Sequence, residues 1–596
     1  MAQFRRRTGI HFGGACARGA HPFGSKGLGA CARGLAFGLI ALAASLPAQA
    51  QYTAPGGLTA PGAFGLAPGA FTTAPGAYGA PPPAAAPPAP PPAAAPVEIP
   101  AVPPAWLIIP AFTLGETYTD NVNLGPAGSR LSDFVTSLGP SLALSGQTGR
   151  LNLALTYAPQ ELLFARSTPS NVLQQNLLGT GTAILWPEAL FFDASASIAQ
   201  AYAHPTGPIA PTTVTTSNNL TTVYAANASP YLRQHLGSVA DSESRYRFST
   251  TSTDLVGIAP EDTHELRQTF VSGEAFGRLG WQLTGDYTRL NRSHDPADPL
   301  SGISSKDSLG RADLRYPLLY SLALIGGVGY ERISDPTLAP PVIRGVIWDA
   351  GLQYQPNQLV AVSLTYGERF NTTDIEFNGT YNLAPQLRLS ALYTETIQTS
   401  LSQIAGTASQ TGLALAPDGT LVAVPVTTPG APTLTTSASG ISSGAYLAKT
   451  ATLAATLTKE RDTYSLTGYE TKTSGNSTAT VGTSLALRVA STTVASSSFV
   501  TSAAAVTAER IFGGTFSWDH KMWPDLTATA GTGYYRAAFP GTGRVDNAYT
   551  LSLALTYLLS RTATATISLS RSDLRSNIEA DSLVVDTVMA TIRKTF

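Results

Sequence analysis

Leu551-Ser552-Leu553-Ala554-Leu555-Thr556-Tyr557, a break around Leu559-Ser560-Arg561, then Ala563-Thr564-Ala565-Thr566-Ile567-Ser568-Leu569: here apolar residues recur at every second position, with small or hydroxylated residues between them. A period of two belongs to a strand whose faces differ in chemistry, because successive side chains point to opposite sides of a sheet. One face is apolar and the other small and polar. The pattern returns at Leu151, Leu153, Leu155 and Tyr157, at Val360, Val362, Leu364 and Tyr366, and at Leu387, Leu389, Ala391 and Tyr393.

Between these runs the connections alternate in length. Short ones, often with proline, lie at Trp186-Pro187-Glu188, Pro356-Asn357, Ala384-Pro385-Gln386, Trp523-Pro524-Asp525 and Leu559-Ser560-Arg561. Long ones lie near 203–216, 293–304, 334–343, 401–443 and 574–582. Tight turns on one side and longer loops on the other are the pattern of an outer-membrane barrel. The chain is therefore expected to be all-β: a transmembrane antiparallel β-barrel over 106–596, of about 24 strands (22–26). Closure satisfies every backbone group within the sheet, as hydrocarbon demands, and leaves no edge. An even count places both termini on the periplasmic side. Trp186, Trp281, Trp348 and Trp523 are expected near short turns as an interfacial aromatic girdle, with Trp106 where the chain enters the barrel.

Composition supports this class by exclusion. Charged residues make up 13% of the 596, about half the share usual in a soluble domain. With 37 basic and 38 acidic residues there is no basic footprint for nucleic acid. Beyond the N-terminus no run approaches the 18 apolar residues that read as a membrane helix. Residues 1–33 carry Arg5, Arg6, Arg7, Arg18, Lys26 and Arg33 without an acid; an apolar run from Leu35 to Leu46 follows, then Pro47 and Ala48-Gln49-Ala50. This reads as a secretory signal peptide, 1–50, cut before Gln51. Leu28-Gly29-Ala30-Cys31 precedes the apolar run, where a lipobox does not belong, and the arginine triplet is not read as twin-arginine export. Cleavage removes six basic residues, leaving 31 against 38 acidic ones and a formal charge of −7, and takes both cysteines, Cys16 and Cys31. Disulfides and thiolate metal sites go with them.

Residues 51–105 are a Pro/Ala/Gly-rich periplasmic linker. A-P-G-A-[FY] recurs every seven residues around Pro61, Pro68 and Pro75, and proline is dense from Pro81 to Pro104. Such a composition cannot bury a core and favours polyproline II, about 3.1 Å per residue. It reads as a spacer, or as a contact for peptidoglycan or a partner through Phe64, Phe71 and Tyr78.

At the other end Val588, Ala590, Ile592 and Phe596 share one strand face. A terminal aromatic with apolar alternate residues resembles the insertion signal that outer-membrane proteins present to the barrel-assembly machinery; Lys594 on that face departs from it and can snorkel. If the apolar face meets lipid and lipopolysaccharide, Arg245 and Arg247 (flanking Tyr246), Asp286, and Arg311, Asp313 and Arg315 point into the lumen, as transport-wall residues or as structural ion pairs. No catalytic, cofactor or metal constellation is found. Gly440-Ile441-Ser442-Ser443-Gly444 matches a nucleophile-elbow spacing without the required strand-to-helix context. His204, His235, His264, His294 and His520 lack zinc spacing. Glu261, Asp262, His264 and Glu265, and His294, Asp295 and Asp298, are expected in outer loops as solvated groups.

Glu116-Thr117-Tyr118-Thr119-Asp120-Asn121-Val122, Ser132-Asp133-Phe134-Val135-Thr136, Arg150-Leu151-Asn152-Leu153, Gly345-Val346-Ile347-Trp348-Asp349-Ala350-Gly351 and Tyr366-Gly367-Glu368-Arg369-Phe370 resemble the PEP-CTERM system-associated outer membrane beta-barrel family over most of 106–596. That resemblance implies a part in exopolysaccharide export or assembly at an exosortase-type locus in a Gram-negative bacterium, as the conduit or within the export machine, with polysaccharide and periplasmic export components as partners. It supplies no catalytic residue. Competing expectations are a structural or adhesive surface barrel with polymer-binding loops and a general diffusion or uptake channel. An outer-membrane hydrolase would depend on Ser442.

Overall fold

The computed structural model describes residues 106–203, 207, 213–298, 300–338, 340–403, 411–415, 421–425, 441, 444–474, 509–540 and 542–596. The expected signal peptide (1–50), the expected linker (51–105), His204 and Ser442 lie outside them.

One closed antiparallel sheet dominates. Its staves are β1 Trp106–Thr119, β2 Asp133–Gln147, β3 Leu151–Tyr157 continued by Gln160–Phe164, β4 Val172–Gln174 continued by Leu177–Trp186, β5 Leu190–Tyr202, β6 Leu220–Leu236, β7 Ala240–Thr253, β8 Glu261–Ser272, β9 Gly280–Arg292, β10 Ser304–Leu319 and β11 Leu322–Ser334. The circuit continues with β12 Val342–Asn357, β13 Val360–Arg369, β14 Thr372–Ala384, β15 Leu387–Gln398, β16 Tyr446–Thr458, β17 Asp462–Ser474, β18 Glu509–Trp523, β19 Leu526–Phe539, β20 Arg544–Ser560, β21 Ala563–Ser576 and β22 Leu583–Thr595. β3 and β4 are each interrupted once yet keep one place in the wall, since both halves of β3 pair with β2. β1 closes on β22 from Ala111↔Thr595 to Thr119↔Thr587, and the Phe596 amide donates to the Pro110 carbonyl at 2.9 Å.

Twenty-two staves sit at the low end of the expected range. Within the long connection expected at 401–443, Thr411–Leu415 and Leu421–Pro425 pair only with each other. The even count brings both barrel ends to the rim of short turns. The alternation of connections is lost where 273–279, on the short-turn rim, matches 254–260 in length, and it inverts where β13 and β14 join through Phe370 and Asn371 on the long-loop rim. Both residues have positive φ, 55° and 57°, the two-residue turn whose twist suits a hairpin. β13 therefore stops short, and Val342–Ile347 of β12 has no partner on that side.

The outward face is the apolar one. Leu551, Leu553 and Leu555 on β20 are 45–50% exposed, with Tyr549 and Tyr557 at either end. Eight residues at about 3.3 Å each, tilted by about 40°, separate the two tyrosines by roughly 20 Å, near the height of a barrel's apolar band. Trp186 and Trp523 end strands at the short-turn rim and are exposed; Trp281 is the second residue of β9 and meets Phe276 of the turn edge-on at 5.2 Å. Trp106 begins β1. Trp348 departs from expectation. It lies nine residues from the short-turn end of β12 and six from the other, beside Tyr366 at 6.4 Å, and belongs with Tyr287, Tyr330 and Tyr549 to a second belt towards the long loops. A tryptophan marks an interface, but strand direction decides which one. Val588, Ala590, Ile592 and Phe596 also face outward, and Lys594 among them turns its amine to Thr562 of the adjacent turn.

Inside, near the long-loop rim, the wall becomes apolar where loops fold onto it. Leu124 packs on Ala548, Leu574, Leu583 and Val585. Val122 packs on Val135, Leu162 and Phe164. Leu401, fully buried, meets Val223 of β6 and Ile441. β15, which leads to Leu401, and β6 stand far apart around the ring, so that contact crosses the mouth. The Thr399 hydroxyl donating to Glu261 at 2.7 Å and the Ile441 amide donating to the Ala203 carbonyl at 2.9 Å fix both roots of the crossing segment.

Candidate functional site: the lumen wall

Below that apolar lip the inward positions divide into two arcs. On β17–β22 alternation with the exposed leucines directs hydroxyls inward: Thr467 opposes Thr515, Thr550 opposes Ser572, and Ser552 opposes Ser570. These residues are too short to fill the lumen and present hydrogen-bonding groups in place of bulk.

On β5–β13 the inward positions carry charge, and the strand register assembles it. Arg245 of β7 reaches Asp193 and Glu243, each at 2.9 Å, and lies 3.8 Å above the Tyr231 ring. Arg247 meets Glu265 at 3.0 Å. Arg267 joins Glu265 at 3.0 Å to Asp286 at 2.8 Å, and Thr288 also donates to Asp286 at 3.0 Å. Arg311 holds Asp313 at 2.6 Å and also Asp349; Arg315 donates to Gln353 at 2.7 Å. Arg369 closes on Glu331 at 3.0 Å. The structure places the six lumen candidates on the inner face, in a ladder of separate ion-paired and hydrogen-bonded groups that lie within a strand, between neighbouring strands or across an intervening one.

Several members of the ladder escape a reading of the sequence. Glu261 and Glu265 belong to strand β8, not to an outer loop as expected, and both are buried inside the barrel. Their stretch is polar on both faces, since Asp262, His264 and Gln268 alternate with them, so no apolar stripe reveals the strand. His264 lies on the outer side, hydrogen-bonded to the Tyr246 hydroxyl at 2.8 Å. His294, Asp295 and Asp298 do occupy the loop after β9, but Asp298 is buried rather than solvated, accepting the Ala259 amide at 2.9 Å. Among the described residues no group of three or more His, Cys, Asp or Glu is arranged to hold a metal.

The reach of Arg311 depends on a glycine. Its partner Asp349 is two strands away, and Gly327 of β11 lies between them in register with Asp313 and Asp349. A Cβ there would sit 2.4 Å from the Arg311 guanidinium and 2.5 Å from the Asp313 carboxylate. Gly327→Ala is expected to cost about 1–3 kcal/mol through overpacking, read as a lower urea midpoint for the refolded barrel. The loss should shrink in an Arg311→Met background, where the crowded group is gone; an equal loss in both would refute the account.

The sequence model of the family described as "Putative beta-barrel porin 2" matches residues 463–596. No curated protein matches the chain. Among solved structures the chain is similar to the siderophore receptor PirA from Acinetobacter baumannii (8% identity, 82% of this chain and 80% of that one, TM-score 0.43) and the siderophore receptor PiuA from the same organism (8%, 82% and 82%, 0.42). The ferric-catecholate import receptor Fiu from E. coli K12 is similar at the same level (10%, 82% and 81%, 0.42). A likeness this distant carries no argument about solute. Fold and family match make the chain an outer-membrane β-barrel of porin-like architecture.

Proposed function

We propose that this barrel is a non-enzymatic passage for a hydroxyl-rich polymer, taking part in exopolysaccharide export with both termini in the periplasm and the long-loop rim facing out. The observation that carries the reading is the pairing of a hydroxyl arc with an ion-paired arc. Sugar hydroxyls accept from guanidinium and donate to carboxylate, so a chain of them can exchange partners with the charged groups along the wall. The resemblance of 106–596 to exosortase-associated barrels supports the same class of solute and suggests periplasmic export components as partners. The C-terminal face is proposed to engage the barrel-assembly machinery.

The test is single-channel recording of the refolded mature chain in planar bilayers, with and without residues 51–105. Stepwise current that neutral oligosaccharides block is expected. A barrel silent in every form would favour the second reading, a surface barrel with polymer-binding loops, to which the loop packing across the mouth lends support.

A further inference from the structure

We propose that the outer wall of β9–β12, just above the upper aromatic belt, binds the phosphate groups of a phosphorylated glycolipid in the outer leaflet. Arg289, Lys306, Arg332 and Arg344 occupy four successive strands, alternate with the outward residues Tyr287, Tyr330 and Trp348, and are all exposed. The register makes them neighbours: Arg289 stands opposite Lys306, Arg332 opposes Ser308, two residues from Lys306, and Arg332 stands opposite Arg344. Directly opposed side chains have Cβ atoms about 4.5–5.5 Å apart, and like charges there repel. None of the four has a carboxylate within ion-pair distance among the described residues; Arg289 donates only to the amide oxygen of Asn291, at 2.9 Å.

On the opposite side of the same collar most outward cations are held by carboxylates. On β17–β22 Arg571 is held by Asp586 at 3.0 Å, Arg575 by Asp573 at 2.7 Å, and Lys472 and Arg510 by Glu470 at 3.3 and 2.9 Å. Among the described residues only β9–β12 present directly opposed outward cations without counter-charge, one or two side chains above the aromatic belt, where lipid headgroups lie; Arg536 of β19, exposed and without an ion pair, stands opposite Phe512 and Asn547. Arginine matches phosphate with paired donors, and long cationic side chains reach into the headgroup layer without strain. A phosphorylated, acylated sugar satisfies both requirements, phosphate at the cations and acyl chains on the apolar band beneath.

The proposal rests on the long-loop rim facing out, but its test does not depend on a solute or on sidedness. The full chain, refolded in neutral detergent micelles, is titrated with bisphosphorylated lipid A and with its dephosphorylated form, and binding is followed by native mass spectrometry. Saturable, salt-sensitive binding of the phosphorylated form is expected, weakened at least about ten-fold, or 1.4 kcal/mol, in Lys306→Gln/Arg332→Gln/Arg344→Gln and unchanged in Lys472→Gln/Arg571→Gln/Arg575→Gln. Unheated gel mobility reports that each barrel is folded; the single variants Arg332→Gln and Arg344→Gln give the same readout should the triple variant fail. Equal binding of the dephosphorylated lipid, an unchanged triple variant, or the same variant dependence for inorganic phosphate alone would overturn the assignment.

Discussion

Leu401→Asp should raise the open probability of the barrel sharply. Leu401 is fully buried, and it meets Val223 and Ile441 where the segment after β15 has crossed the mouth. Losing its burial costs about 3 kcal/mol at the upper end for a leucine, and a carboxylate left unpaired there adds to that. Every 1.4 kcal/mol is a factor of ten, so 3 kcal/mol alone multiplies the ratio of released to packed segment by roughly 100. The wall should survive, because Leu401 belongs to none of the 22 staves and their ladders do not pass through it. The measurement is open probability in planar bilayers against Leu401→Met, which keeps the volume and should behave as the parent. An unchanged open probability in a folded Leu401→Asp barrel would show that this packing does not control passage.

That expectation depends on a contact absent from the sequence pattern, and the boundary between what is legible there and what is not follows a physical line. Alternation within one strand is local, so Leu551 to Tyr557 declares its faces, and Arg311-Ala312-Asp313-Leu314-Arg315 shows which charges turn inward because leucine and alanine occupy the other face. Glu261 to Arg267 hides the same architecture, since both of its faces are polar. Partnership is not local. Arg311 finds Asp349 only because β10, β11 and β12 align in a particular register with Gly327 between them. Direction along the strand is equally silent, which is why Trp348 is readable as interfacial but not as belonging to the upper belt.

Arg267 is a place where the ladder should prove costly to break. It alone joins Glu265 to Asp286, at 3.0 and 2.8 Å, and its side chain is 15% exposed beside partners at 7% and 6%. In Arg267→Met Glu265 keeps Arg247, but Asp286 loses its ion-pair partner and keeps the Thr288 hydroxyl as its hydrogen bond, with the Arg247 charge farther off. Removing one member of a buried ion pair typically costs about 3–5 kcal/mol, mostly because the remaining charge is left unpaired. The urea midpoint of the refolded barrel should therefore fall well beyond the effect of Gly327→Ala. Asp286→Asn in the same background should recover much of the loss by removing the stranded charge, which a merely poorer packing of methionine would not allow. Arg267→Lys should recover only part of it, since one ammonium does not reproduce the guanidinium's two-sided reach. The lumen also gains one net negative charge in Arg267→Met, so the reversal potential across a salt gradient should move towards cation selectivity and move back with Asp286→Asn. Stability loss without that shift would make the ladder a brace of the wall that permeating ions do not sense. The two moving together, and being restored together, would place Asp286 and its neighbours on the path itself.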